Sequence, residues 1–187
     1  MAFVHFNNLE SKSYTCAYCS NTVASSRGTY DNGATFLRIY ECPHCGNPTY
    51  FGRSDSQIPD VSPGAHVEHV PENIANLFFE ARSCVSVNAY TSSVLASRKL
   101  LMNIGVTQGA GEGLSFIAYV EYLSNHGFIP PNGRGWVDLI RTKGNEATHE
   151  ISSMTCEDAT QLITFVEMLL RFIYEFPAQI PTPESDA

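Results

Sequence analysis

Two short cysteine pairs, Cys16-Ala-Tyr-Cys19 and Cys42-Pro-His-Cys45, constrain this chain more than any other feature. Each C-x-x-C sets two sulfurs on one tight turn. The 22 residues between the pairs suit two strands that return one turn to the other. Four thiolates converging from two sides make the donor set of a tetrahedral zinc ion, so Cys16, Cys19, Cys42 and Cys45 are expected to hold structural zinc. All four positions are filled by sulfur, which leaves none open for water activation. A redox dithiol or a disulfide is the rival reading, but a redox C-x-x-C normally opens a helix within a βαβ pattern. Here the β-rich run 34–40 leads into the second pair and Thr49-Tyr-Phe51 follows it. Gly46 supplies the positive backbone angle that such a knuckle requires.

The chain has 187 residues, room for one ordinary domain beside a small module, and 43% of them are apolar. No apolar run approaches the length that spans a bilayer, and the first residues lack a basic region followed by an apolar stretch. The expectation is a soluble, cytoplasmic protein without a membrane segment, since thiolate zinc suits a reducing compartment. The formal net charge is −8, with four Lys/Arg against five Asp/Glu in residues 1–66 and seven against fourteen in 67–187. Long-range attraction to polyanions is thereby excluded, and any nucleic-acid contact must be local and made by a few arginines.

The organisation read from composition is a zinc ribbon over 1–52, a turn-rich linker over 53–70, helices over 71–176, and a disordered tail over 177–187. His66 and His69 in the linker read as solvated. Pro71 opens a first helix whose stripe is Ile74, Leu77, Phe78, Ala81 and Val85. A second helix is expected from Ala89 to about Asn103, ended by Gly105. The glycines of 109–113 form a loop that lacks the Lys-Ser/Thr of a phosphate cradle. A third helix, about 114–126, stops at Gly127 before Pro130-Pro131. A fourth is expected over about 134–149. A fifth begins at the capping box Thr155-Cys-Glu-Asp158 and runs to about Phe176. Its second apolar stripe, Phe165, Met168, Phe172 and Phe176, suggests a homodimer interface. Cys84 and Cys156 read as buried thiols. The predicted fold is thus a small β zinc ribbon followed by an all-α antiparallel bundle of about five helices.

On the fourth predicted helix, Arg141, Asn145 and His149 stand at i, i+4 and i+8 and would share one face. A guanidinium, an amide and an imidazole in a row can hold a phosphate and move a proton near neutral pH. The same residues also serve as helix–helix ties, with His149 at the negative end of the helix.

Four blocks carry a resemblance: Pro71-Glu-Asn-Ile74, the run 89–101, Gly127-Phe-Ile-Pro130, and the run 141–149 followed by 155–159. In them the helical part, roughly 71–176, resembles the domain-of-unknown-function family numbered 4145, a HEPN-like group of bacterial and phage proteins. The resemblance implies a helical bundle that often dimerises, sometimes behind a zinc ribbon. It also implies a setting in restriction, toxin–antitoxin or other defence-linked systems. HEPN ribonucleases cut RNA without a metal through an Arg and a His on one helix. By resemblance His149 would assist attack of a ribose 2′-hydroxyl and Arg141 would stabilise the phosphorane. Seven residues separate the two here, and Asn145 and His149 are the neighbours one turn apart. Arg98 aligns with a recurrent family arginine and would bind in the same groove, although the family's acidic partner is replaced by Met102. The partners implied are RNA or a nucleotide. The alternative is a noncatalytic protein-interaction module, an adaptor or inhibitor of a defence enzyme.

Overall fold

Three aromatic side chains form the centre of the N-terminal third of the chain. Tyr14, Tyr40 and Phe51 meet with ring centroids 5.3–6.2 Å apart, Phe51 edge-on to both tyrosines. The computed structural model describes residues 7–31, 37–130, 133, 135, 136, 138 and 154–180. The chain divides into two compact units, Met1–Ser62 and Pro63–Ala187.

The first unit is one antiparallel sheet in the order β1 (Asn7–Thr15), β2 (Thr22–Tyr30), β3 (Arg38–Glu41), β4 (Pro48–Phe51) and β5 (Gln57–Ile58). It curls into a half-barrel, because bonds join strands that are not neighbours. The Tyr40 hydroxyl of β3 donates to the Glu10 carbonyl of β1 at 3.1 Å, and Gln57 Nε2 of β5 donates to the Thr15 carbonyl at 2.8 Å. The curl places Tyr14, Cys16, Tyr40, Cys42 and Phe51 in one buried cluster. Irregular pairing between Asn8 and Lys12 bends β1, and Ser25 Oγ opposite it donates to the Glu41 carbonyl at 2.7 Å. At Gly28 a Cβ would collide with the backbone of Ile39, so only glycine allows β2 and β3 to pair there.

The second unit packs α1 (Glu72–Ser86), α3 (Phe116–Asn125) and α4 (Cys156–Leu170) against α2 (Tyr90–Thr107). Accordingly Val94, Leu100, Leu101 and Ile104 of α2 are fully buried. Local chemistry sets the ends. Ser115 Oγ accepts from the Ala118 amide to start α3, and Thr155 and Asp158 form both bonds of a capping box at α4. Gly127 at φ +79° ends α3, with the Phe128 amide donating to the Leu123 carbonyl at 3.0 Å. Beyond Leu170 the last helix widens into one π turn, Arg171–Glu175. There Arg171 donates to Glu167 on one side and to both carboxylate oxygens of Glu175 on the other, at 2.8–3.0 Å. The same two glutamates accept the Ala65 and Glu68 amides, and Arg82 donates to the Pro63 and Gly64 carbonyls. Residues 63–70 are thus laid on the helices, with Val67 buried.

Two fold expectations are corrected. A small ribbon was expected, whereas the N-terminal unit is a curled five-stranded sheet. It extends beyond the knuckles because β1 precedes the first cysteine pair and β5 adds a strand from the turn-rich stretch. About five helices were expected, and four stand among the described residues. The expected fourth helix lies mostly outside them, as does the tail from residue 181. Gly105 does not end α2, which continues to Thr107. Instead it makes room for the Tyr119 ring, 2.8 Å from where its Cβ would be. Among the described residues no helix is long and apolar enough to cross a membrane.

Leu101→Ala is expected to destabilise the protein by about 2–5 kcal/mol in urea unfolding, through the cavity left at the centre of α2. Leu95→Ala, on the same helix but exposed, should change it by no more than about 0.5 kcal/mol.

Candidate metal centre

The two knuckles are built alike. In the first, between β1 and β2, the Ser20 amide donates to the Cys16 carbonyl at 2.8 Å and the Cys16 amide to the Asn21 carbonyl at 2.9 Å. In the second, between β3 and β4, the Gly46 amide donates to Cys42 and the Cys42 amide to Asn47, at the same two distances. The residue after each second cysteine has positive φ: Gly46 at 73° as the sequence predicts, and Ser20 at 57°. An asparagine follows in both. Asn21 Nδ2 donates to the Cys19 carbonyl at 3.1 Å, and Asn47 Nδ2 to Cys45 Sγ at 3.4 Å. Neither asparagine stands out in a reading of the cysteines alone. The repeat that reveals them is Cys19-Ser-Asn21 beside Cys45-Gly-Asn47, the same offset twice.

Sulfurs from opposite knuckles pair across the site, Cys16 with Cys45 at 3.7 Å and Cys19 with Cys42 at 3.8 Å, and all four lie within 4.8 Å of one another. A tetrahedron with metal–sulfur bonds of about 2.3 Å has sulfur–sulfur edges of about 3.8 Å, so the two cross pairs already fit. Redox use of either pair is disfavoured, because neither cysteine pair opens a helix. Cys16 and Cys42 are buried, whereas Cys45 is exposed.

Without a cation the site is electrostatically divided. Burial, then the Cys19 and Cys45 thiols, push Cys16 up to about 12 against the opposing backbone bonds. Cys19 is also raised by burial, but the Asn21 amides and the Cys16 and Cys45 thiols outweigh it and bring the thiol down to about 6. Burial carries the phenol of Tyr14, beside these sulfurs, up to about 12, so it stays protonated. A divalent cation at the centre would allow all four sulfurs to be thiolates together.

Arg98 lies on α2, half-buried, with its guanidinium 4.4 Å from the centroid of the Phe116 ring, and burial lowers its pKa. Arg141, Asn145 and His149 lie outside the described residues, as do Glu146 and Glu150. Cys84 is half-buried, while Cys156, expected to be buried, is exposed at the start of α4. His66 is exposed and 3.5 Å from Glu68. His126 stacks on Tyr122 at the end of α3, and His44 Nδ1 meets Asn21 Nδ2 at 3.3 Å across the knuckles. Of the expected second stripe on the last helix, Phe165 is buried against Trp136, whereas Phe172 and Phe176 are exposed, edge to face at 5.4 Å.

In the folded protein at pH 7, iodoacetamide should label exposed Cys45 well before buried Cys16 and Cys42, and chelation should remove the difference. Peptide mass spectrometry at early times reads the order, and equal rates in the folded protein would contradict the burial described.

No curated protein matches the chain, and no solved structure does. A family model described as Domain of unknown function (DUF4145) matches residues 79–185, from α1 through the last helix. That match spans more than half of the sequence and includes Arg98, Arg141, Asn145 and His149, so the chain belongs to this family.

Proposed function

We propose that the protein is a zinc-stapled RNA-binding protein of a bacterial or phage defence-linked system, working in the cytoplasm. Zinc is the metal that best suits four thiolates at tetrahedral spacing, and a closed site of this kind is structural. The ion contributes folding free energy to Met1–Ser62 and takes no part in hydrolysis. Purified protein should carry one zinc per chain. Chelation should abolish the near-UV circular dichroism of the Tyr14–Tyr40–Phe51 cluster and leave most of the far-UV helical signal. Loss of both signals together would refute independent units.

With the metal closed off, any RNA chemistry falls to side chains of the helical unit, and the reading is a metal-independent endoribonuclease of HEPN type. The observation that supports it is the family match, whose range of residues 79–185 takes in Arg98, Arg141, Asn145 and His149. In this assignment the Arg141 guanidinium and Asn145 amide hold the scissile phosphate, and His149 moves the proton of the 2′-hydroxyl. The expected result is cleavage of RNA with chelator present, falling by about 10²–10⁴-fold in His149→Ala. Activity unchanged in that variant would remove His149 from the mechanism. A second reading, a noncatalytic adaptor that docks on a defence enzyme, draws support from the exposed Phe172–Phe176 pair and the acidic helical unit. Wild-type protein that neither retains nor cuts RNA would select it.

A further inference from the structure

The concave face of the N-terminal sheet ends in a row of a different character from its core. Tyr30 on β2 pairs in register with Arg38 on β3, and Arg38 pairs with Phe51 on β4. Opposed residues on antiparallel strands point to the same face, so the three side chains form one row across three strands. One step inward the row is Gly28, Tyr40 and Thr49, which belongs to the buried interior. At the rim Tyr30 is 43% exposed, Arg38 is exposed, and Phe51 remains buried as the floor. Beside the row opens a cavity of about 320 Å³ lined by Arg38, Phe51, Gly52, Arg53 and Asp55.

The charges around this cavity are unequal. Lys12 lies 4.5 Å over the Phe51 ring and binds both carboxylate oxygens of Asp55 at 2.7 Å, so the one acidic side chain of the lining already has a cation. The lining also contains two guanidinium groups, Arg38 and Arg53. By contrast Arg27, one residue before Gly28 and therefore on the opposite face, lies 3.5 Å from Glu41. Arg27 thus lies beside an acid on the convex side, while Arg38 on the concave side is in register with an exposed tyrosine.

We propose that this rim is a binding site for single-stranded RNA, which deepens the RNA-binding reading above and rests on it. The phosphate is held by Arg38 and Arg53, and the adjoining base stacks on Tyr30 and on the plane of the Arg38 guanidinium. Single strands are specified because a base must leave its stack to lie on a ring at a concave rim. Contacts of this kind are short-ranged, which suits a chain whose net charge is −8.

The test uses full-length, zinc-loaded protein and a fluorescein-labelled oligouridylate, read by fluorescence anisotropy across a salt series. Tyr30→Ala and Arg38→Ala should each weaken binding by about fivefold or more. Arg38→Ala should also lower the slope of log K against log salt by about 0.7, the mark of one lost phosphate contact on a single strand. Arg38→Lys should restore the slope but not the full affinity, because a lysine keeps the charge and loses the planar fork. Arg27→Ala removes the same charge from the other face and should bind as wild type; zinc content verifies that every variant is folded. If wild type binds while the Tyr30 and Arg38 variants match it, or if Arg27→Ala weakens binding equally, the rim site is overturned and the RNA-binding reading stands. An RNA duplex that competes as well as the single strand would overturn the choice of ligand. Wild-type protein that does not bind the oligonucleotide overturns both.

Discussion

Four sulfurs held within 4.8 Å of one another are the arrangement on which the N-terminal unit depends. Thiolates at that distance repel unless a cation stands between them, and protonated thiols there bury polar groups with little to bind. The two knuckles are shaped backbone-first, through paired amide–carbonyl bonds and a left-handed residue in each, so each turn sets its own two sulfurs without help from the core. Cys16 and Cys42 also belong to the aromatic cluster with Tyr14, Tyr40 and Phe51. The candidate metal ligands and the hydrophobic core therefore share members. A 62-residue unit with a core this small is marginal on burial alone, whereas apparent zinc binding to small thiolate modules reaches about 10–16 kcal/mol. In the proposed zinc-bound state the ion would add to what the rings contribute to the curl.

The helical unit follows another logic. There α2 is surrounded, and the contacts that matter are aliphatic: Val94, Leu100, Leu101 and Ile104 from α2, with Leu162, Ile163, Val166 and Leu169 from α4. Polar chemistry is used at the margins. Glu167 and Glu175 each bind Arg171 and a backbone amide of the 63–70 segment, which ties the approach to α1 onto the π turn of the last helix. A π turn displaces the following side chains relative to a regular helix. Phe172 lies within that turn and Phe176 just after it, and the second stripe read from the sequence divides there, with Phe165 inside and these two rings outside.

What was legible in the sequence was local. The cysteine spacing, the glycine after the second pair, the Thr155–Asp158 capping box and the stop at Gly127 all act within a few residues, and each is where its chemistry requires it. The sheet was less legible because its determinants are distant. In β1, Asn-Asn-Leu-Glu-Ser-Lys-Ser-Tyr-Thr carries little apolar alternation, and Tyr14 becomes a core residue only through rings at positions 40 and 51. Gly105 shows the same limit from the other side. A glycine near a helix end reads as a terminator, but here it yields space to Tyr119 on another helix, and a sequence pattern within α2 holds no record of that contact. The paired asparagines Asn21 and Asn47 fall between the cases: their repeat is visible, but its meaning appears only once both are seen closing the knuckle turns.

Charge placement connects these observations. Seven cations against fourteen acids in residues 67–187 give the helical part a repulsive field for any polyanion, while residues 1–66 are within one charge of neutrality. A phosphate-bearing ligand would meet less opposition at the sheet than at the helices. The sheet sorts its own cations further. Arg27 and Lys12 have carboxylate partners, Glu41 and Asp55, and the Arg38–Tyr30 row stands at the rim of a curled surface. Such an arrangement attracts little from afar, since dissolved ions screen it beyond a Debye length of about 8 Å at physiological salt. At contact, a planar cation beside an exposed ring offers both halves of a nucleotide a surface. The β3–β4 ladder that sets Arg38 against Phe51 also brings Arg53, two residues after β4, to the cavity that Arg38 lines, so the strand pairing that builds the core also places the proposed ligand site.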